Sequence, residues 1–347
     1  EQAAMEAPAG IIDEHARSGL LRYFAVGDAT GEEFETEILE RYRQAAKLTF
    51  SSVTNLLLAE KIEAVVAHHG IYVPQGLVVA AAQNLGVDVV CWGLGYKENT
   101  IIFSSGDSYH RTLPLEEAMP ENNADIMQSV QHVQRYLKDR ESGINDWISF
   151  YKDTKISSPK NMPFDASDTF GTNNNSEGLT FGLFTNVVWD AQLHFRKAAY
   201  SNMLDWLFDT IDLFANTRHR LVIRVHPAEV RGSVPSRQRV LAEISKVYAE
   251  LPTNIRLVDA DDALTSYQVA ERIDVALIYG TKMAIELAAS GIPVIVAGDA
   301  WARGKGFTWD VGSRDEYWKL ISEMRAPLTM TGDQINAALN FAKYIFL

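Results

Sequence analysis

The chain has 347 residues, 47% of them apolar, and 45 acidic against 32 basic side chains give it a net charge of −13. That length suits two domains of ordinary size rather than one. The acidic balance argues against a nucleic-acid groove, which needs clustered Lys and Arg. It also opposes electrostatic docking of the whole surface on an anionic membrane, so peripheral membrane association is left only to a local basic patch. The single cysteine, Cys91, excludes an intrachain disulfide framework and fits a reducing, cytoplasmic setting, including the inner face of the membrane. No apolar run approaches the ~18 residues of a spanning helix. The chain starts at Glu1 rather than Met and ends in the apolar run Phe341–Leu347, so both ends are expected to be cut from something longer.

In chain order, Leu20–Val26 reads as a strand. Glu32–Lys47 reads as a helix, with acids at its start and basic residues near its end. Ile62–Ala67 is a buried strand, and Pro74–Leu85 a helix stopped by Gly86. Val87–Trp92 and Ile101–Phe103 are further strands, and a long helix runs from about Ala124 to Arg140. Lys152–Gly178, with two prolines and an Asn-rich run, reads as a linker. Then come strand Leu179–Phe184, a helix from about Asp190 to Ala215, strand Leu221–Val225 and helix Ser236–Glu250. Strand Ile255–Leu257, a short helix near Ser266–Ala270, strand Val275–Tyr279, helix Thr281–Ser290 and strand Pro293–Val296 follow. The last helices start near Arg314 and Thr331. The alternation predicts an α/β protein with two Rossmann-like, doubly wound domains facing a cleft. The expected domains are 1–151 on the acceptor side and 179–330 for the nucleotide sugar. A C-terminal helix, 331–347, is placed to pack back on the first domain.

In an open parallel sheet, ligands bind outside the carboxyl ends of the strands. Two motifs sit at such ends. His226-Pro227 follows an aliphatic strand; the histidine suits a phosphate contact, with a pKa expected near neutrality. Tyr279-Gly280-Thr281-Lys282 stands at the end of the candidate strand Val275–Tyr279. Gly280 allows close approach of a phosphate, Thr281 adds a hydroxyl, Lys282 a charge, and Glu286 further along the helix an acceptor for ribose hydroxyls. Lys305, flanked by two glycines and with Arg303 nearby, suits a flexible cationic loop over a diphosphate or carboxylate. Asn186 and Asp190 read as sugar ligands, with Asp190 equally readable as a helix cap. In the first half, His69 at a strand end reads as a general base beside His68, and Asp28 as a rival. Asp107 and His110 are supporting acceptor groups. The eight histidines are scattered and one cysteine is too few for a zinc spacing, so neither a metal nor another cofactor is expected.

The His226-Pro227 motif, the Tyr279–Glu286 helix start, the strand Gly291–Gly298 and the loop Arg303–Thr308 resemble bacterial capsule and surface-polysaccharide glycosyltransferases of GT-B fold. The His-Pro pair is similar to that of Kdo-transferases and sialyltransferases, which use CMP-activated sugars, and of CDP-glycerol phosphotransferases. The resemblance implies a metal-independent enzyme that moves a sugar from a nucleotide-activated donor to a glycan or glycolipid acceptor. It places His226 on the donor phosphate, Gly280–Lys282 on the phosphate or nucleotide, Glu286 on the ribose, and the base in the first domain. A nucleotide-sugar epimerase or a CDP-glycerol-type phosphotransferase on the same scaffold, and a non-catalytic glycan-binding module, are the alternatives.

Overall fold

The computed structural model describes residues 6–116, 126–141, 178–194, 196 and 198–347, with side chains from residue 130 onward in the second of these segments. Among them, 6–95, 99–116 and 188–194 form one compact unit, and 96–98, 126–141, 178–187, 196 and 198–347 form another. No described helix is long and apolar enough to cross a membrane. The expected linker falls outside the described residues, apart from Gly178.

The first unit opens with helices α1 (Ile11–Phe24) and α2 (Glu35–Ala59), then β1 (Ala64–His68), α3 (Gln75–Asn84), β2 (Asp88–Leu94), β3 (Ile101–Ser105) and α4 (Tyr109–Thr112). The segment Leu20–Val26, expected as a strand, is the last turn of α1 and its exit. A short apolar run does not separate strand from buried helix. Here the preceding residues decide: Asp13 and Glu14 in the first turn and Arg22 in the last complement the helix dipole. Gly19 lets α1 close on α2, because a Cβ there would sit 2.6 Å from the Tyr42 ring. Gly86, at φ +70°, ends α3 as read from the sequence.

The sheet of this unit has three strands in the order β1-β2-β3, with β1 and β2 parallel and β2 and β3 antiparallel. A doubly wound parallel sheet was expected, and two facts correct it. The link from Leu94 to Ile101 is too short for a crossover, so the chain turns back as a hairpin, with Gly95 donating to the Thr100 carbonyl at 2.9 Å. Second, α2 and α3 cover one face through Phe50, Leu57, Leu77, Val79 and Ala82, while Val66, Leu94, Ile101 and Phe103 remain exposed.

The second unit contains α5 (Ile126–Glu141), β4 (Thr180–Phe184), α6 (Met203–Ala215), β5 (Arg220–Arg224), α7 (Ala228–Arg231), α8 (Val240–Val247) and β6 (Ile255–Val258). It continues with α9 (Ser266–Ala270), β7 (Val275–Ile278), α10 (Met283–Ala289), β8 (Val294–Val296), β9 (Trp309–Asp310), α11 (Arg314–Glu323) and α12 (Gly332–Phe346). All six strands are parallel, in the order β6-β5-β4-β7-β8-β9. β4 and β7 are wholly buried, as strands covered on both faces must be. α12 packs on α10 and on α5, so both α5 and the C-terminal helix belong to this unit.

Two helices start later than their sequence implies. The one expected from Asp190 begins at Met203, where the Asn202 side chain accepts from Asp205 N at 2.9 Å. The one expected from Ser236 begins at Val240, whose N–H is held by the Glu229 carboxylate at 2.8 Å. The chain runs outward from β4 through β5 to β6, then returns to the other flank of β4 as β7 and proceeds to β8 and β9. The direction of winding therefore reverses between β4 and β7. That is the topological switch point where open α/β sheets bind ligands.

Candidate functional site

Three strand ends meet at this switch point. Thr185 and Asn186 follow β4, His226 and Pro227 follow β5, and Tyr279 to Lys282 follow β7. Thr185 Oγ1 accepts from His226 N at 2.9 Å, which ties the first two ends together. The nearest non-neighbouring atom to a Cβ built on Gly280 is Asn186 Oδ1, at 3.9 Å. That oxygen is buried with no hydrogen-bond partner, while Asn186 Nδ2 donates to the Val187 carbonyl at 3.3 Å. The Lys282 ammonium lies 3.4 Å from the centre of the Tyr96 ring.

His226 is not the near-neutral titrating group the sequence implies. Burial, then the charges of Lys282 and Arg224, push its pKa down to about 3. Its Nδ1 accepts from Ala228 N at 3.1 Å, so the neutral ring carries its proton on Nε2. Pro227, at φ −62°, opens the short helix α7. Arg224 is fully buried; its Nη1 donates to the Asp259 and Val258 carbonyls, whereas Nε and Nη2 have no hydrogen-bond partner.

The other expected donor-side residues are held by the fold. Thr281 Oγ1 accepts from Met283 N at 3.3 Å, just ahead of α10. Tyr279 packs on Trp206 and donates to the Tyr200 carbonyl at 3.3 Å. Glu286 is 3% exposed, with one oxygen accepting from Tyr267 Oη at 2.5 Å and the other 3.2 Å from Arg140 Nε. Arg140 lies over the Tyr96 and Phe346 rings, so the carboxylate expected on a ribose is paired inside the unit. The loop carrying Arg303 and Lys305 departs from a flexible cationic loop. Arg303 donates to the carbonyls of Val296, Gly298 and Val311. Lys305 is buried, with its ammonium over Phe341.

In the first unit, His69 stands at the end of β1 in a left-handed conformation, φ +61°. A non-glycine residue there is strained, and its surroundings hold it. His69 N donates to the Trp92 carbonyl at 2.8 Å, its own carbonyl accepts from Ser108 Oγ at 2.7 Å, and Nδ1 lies 2.6 Å from Tyr109 Oη. Burial, then His68 and Arg22, lower its pKa to about 4. The His68 ring packs at a tilt against those of His69 and Trp92. His110, in α4, is driven to about 3 by burial and by His194 and His69.

Asp190 caps no helix. It accepts from Tyr72 Oη at 3.0 Å, and that hydroxyl in turn accepts from Ala191 N. Asp107 accepts from Ser108 N at 2.6 Å and lies 3.6 Å from Arg111. Asp28 is exposed in the loop after α1, where it accepts from both Thr30 N and Thr30 Oγ1. Because α1 is a helix, Asp28 does not stand at a strand mouth.

Sequence reasoning missed a further group in this unit. Glu14 and His15 of α1 meet His194, with Glu14 Oε1 2.9 Å from His194 Nδ1. A separation of 180 positions hides this meeting from any spacing rule.

The fold and site together define an α/β protein whose six-stranded parallel unit presents a polar, partly cationic mouth at its switch point. No protein-family model matches the sequence, and no curated protein matches it. Among solved structures, the chain is similar to a β-Kdo 2,4-transferase, KpsC, of Thermosulfurimonas dismutans. The identity is 13%, the TM-score 0.47, and the match covers 81% of this chain and 80% of that one. A β-Kdo 2,7-transferase KpsC from the same organism is similar at 13% identity and TM-score 0.44, over 83% of this chain and 79% of that one. A UDP-N-acetylglucosamine 2-epimerase is similar at 11% identity and TM-score 0.32, over 96% and 91%.

Proposed function

We propose that the chain is a glycosyltransferase of GT-B type that binds the phosphate of a nucleotide-activated sugar at the mouth of the six-stranded sheet. The observation that carries this reading is the convergence of His226, Lys282 and Asn186 around Gly280 at the β4/β7 switch point. With Nδ1 accepting from Ala228 N, His226 is a neutral ring whose proton sits on Nε2, the kind of donor a phosphate oxygen takes. Lys282 adds a full positive charge, and Gly280 admits a phosphate close to the backbone. As the glycosidic bond to the phosphate breaks, charge builds on the leaving oxygen, and these groups offset it without a metal ion at the phosphate. Asn186 Oδ1 is an acceptor free for a hydroxyl of the donor.

The acceptor is a glycan or glycolipid of surface-polysaccharide synthesis, and the protein works at the cytoplasmic side of the membrane. His69 is the candidate base for the acceptor hydroxyl. The His-Pro motif favours a CMP-activated acidic sugar such as CMP-Kdo as donor. Incubation with a set of nucleotide sugars and a glycan acceptor tests this. Release of the nucleotide with growth of the glycan, lost in His226→Ala, is the expected result. A new nucleotide sugar formed from donor alone would reassign the site to an epimerase, and wild-type turnover in His226→Ala would remove His226 from the chemistry.

A further inference from the structure

Five of the eight histidines, His15, His68, His69, His110 and His194, lie in the smaller, first unit. His15 and His194 differ from the rest in being 3% exposed each. His15 sits in α1, where Gly76 makes room for it: a Cβ on Gly76 would lie 2.0 Å from the His15 ring. His194 ends the turn Gln192–His194, and its ring centre is 5.1 Å from that of His15. Glu14 lies beside them with its side chain 29% exposed, which gives an ion a path from solvent.

Two ring nitrogens here, His15 Nδ1 and His194 Nε2, are buried without a hydrogen-bond partner. A buried polar atom left unpaired costs about 1–3 kcal/mol, so two in one cluster call for an explanation. One ligand atom from each of Glu14, His15 and His194 falls within 4.8 Å of the others. Around a bound zinc ion, with Zn–N near ~2.0 Å, ligand atoms stand about 3.3 Å apart. The three side chains would therefore close by roughly an ångström on an ion. Arg111 pairs with Glu14 and also lies 3.6 Å from Asp107. It opposes a cation by its charge, yet it also orients the carboxylate, as outer partners of metal ligands do.

We infer that Glu14, His15 and His194 form a binding site for a divalent transition-metal ion, with Zn²⁺ the chemical class that two imidazoles and one carboxylate suit best. Three protein ligands leave a fourth position to water. The site lies wholly within the first unit and does not depend on the transferase reading.

The test uses the full chain without a polyhistidine tag, stripped with a chelator. Zn²⁺ is titrated by calorimetry, its effect on Tm is measured, and Co²⁺ is titrated as a visible-absorption probe. The inference predicts one equivalent bound, a rise in Tm, and Co²⁺ bands of a four- or five-coordinate site. His194→Gln and Glu14→Gln should each weaken Zn²⁺ binding at least tenfold and remove the Co²⁺ bands. Should His194→Gln fail to fold, Glu14→Gln, on a partly exposed side chain, still decides. No stoichiometric uptake by wild type, or uptake unchanged in the variants that fold, would overturn the site and leave a buried Glu–His network held by Arg111.

Discussion

The mouth of the six-stranded sheet and the polar groups of the first unit are furnished oppositely: the mouth gathers strand ends, whereas the first unit gathers the end of β1, helix α1 and the turn Gln192–His194. At the mouth, the groups near His226 are cationic or neutral: Lys282, Arg224 and Asn186. In the first unit three polar groups are set against an acid or a hydroxyl, His69 against Tyr109, Tyr72 against Asp190, and His194 against Glu14. In both, the partner set decides the chemistry. An excess of positive charge suits an anion, whereas paired imidazoles and carboxylates suit a proton or a metal ion.

The comparison breaks most sharply on two alanine variants. His226→Ala should lower transfer about 10²–10³-fold, the usual cost of one preorganised donor to a developing charge. His69→Ala should lower turnover while leaving nucleotide affinity unchanged, as steady-state kinetics beside equilibrium binding would show. Loss of nucleotide binding in His69→Ala would erase the division of labour between the two regions.

Gly298→Ala tests whether the mouth depends on close backbone contact. An added Cβ would lie 2.2 Å from the Tyr279 carbonyl oxygen. Overpacking of this kind should cost about 3 kcal/mol in urea unfolding.

Glu229 should leave a mark on the pH dependence of stability. Burial raises its pKa to about 7 from an ordinary 4.5, although the Val240 N–H and Arg239 act the other way. Between those values the folded state holds the proton that the unfolded state has released, so stability falls as pH rises from about 4.5 to 7. Glu229→Gln should remove that decline, which amounts to at most about 3 kcal/mol. Urea midpoints of wild type and variant across this window measure it.

The smallest expected effect is an absence of one. Because His226 is already neutral down to about pH 3, affinity for a nucleotide sugar should stay flat between pH 5 and 8. A fall above about pH 6.5 would mean that the imidazolium is the binding form.

The second unit was largely legible in the sequence, because its central strands are buried on both faces and read as short apolar runs such as Leu221–Ile223 and Val275–Ile278. Their ends put His226 just past β5 and Gly280 just past β7, where the structure has them. What spacing does not carry is the identity of a side chain's partner. Glu286 reads as an acceptor for ribose hydroxyls, whereas in the fold its carboxylate is held by Arg140 and Tyr267. Arg303 and Lys305 looked like a mobile cationic loop, and three carbonyls and a phenylalanine hold them. In the first unit, the amphiphilic run at Leu20–Val26 fits strand and helix alike, and the Glu14–His15–His194 group joins positions brought together only by the fold.

The most direct measurement is a thermal-shift panel of CMP, CDP, UDP, GDP and dTDP on wild type and His226→Ala, with and without Mg²⁺. A ligand that binds only the folded state at 100 times its Kd adds about 2.7 kcal/mol of stability. The account predicts that one nucleotide raises Tm without Mg²⁺ and that His226→Ala abolishes the rise. No shift with any nucleotide, or an equal shift in the variant, would contradict a phosphate site at the β4/β7 mouth.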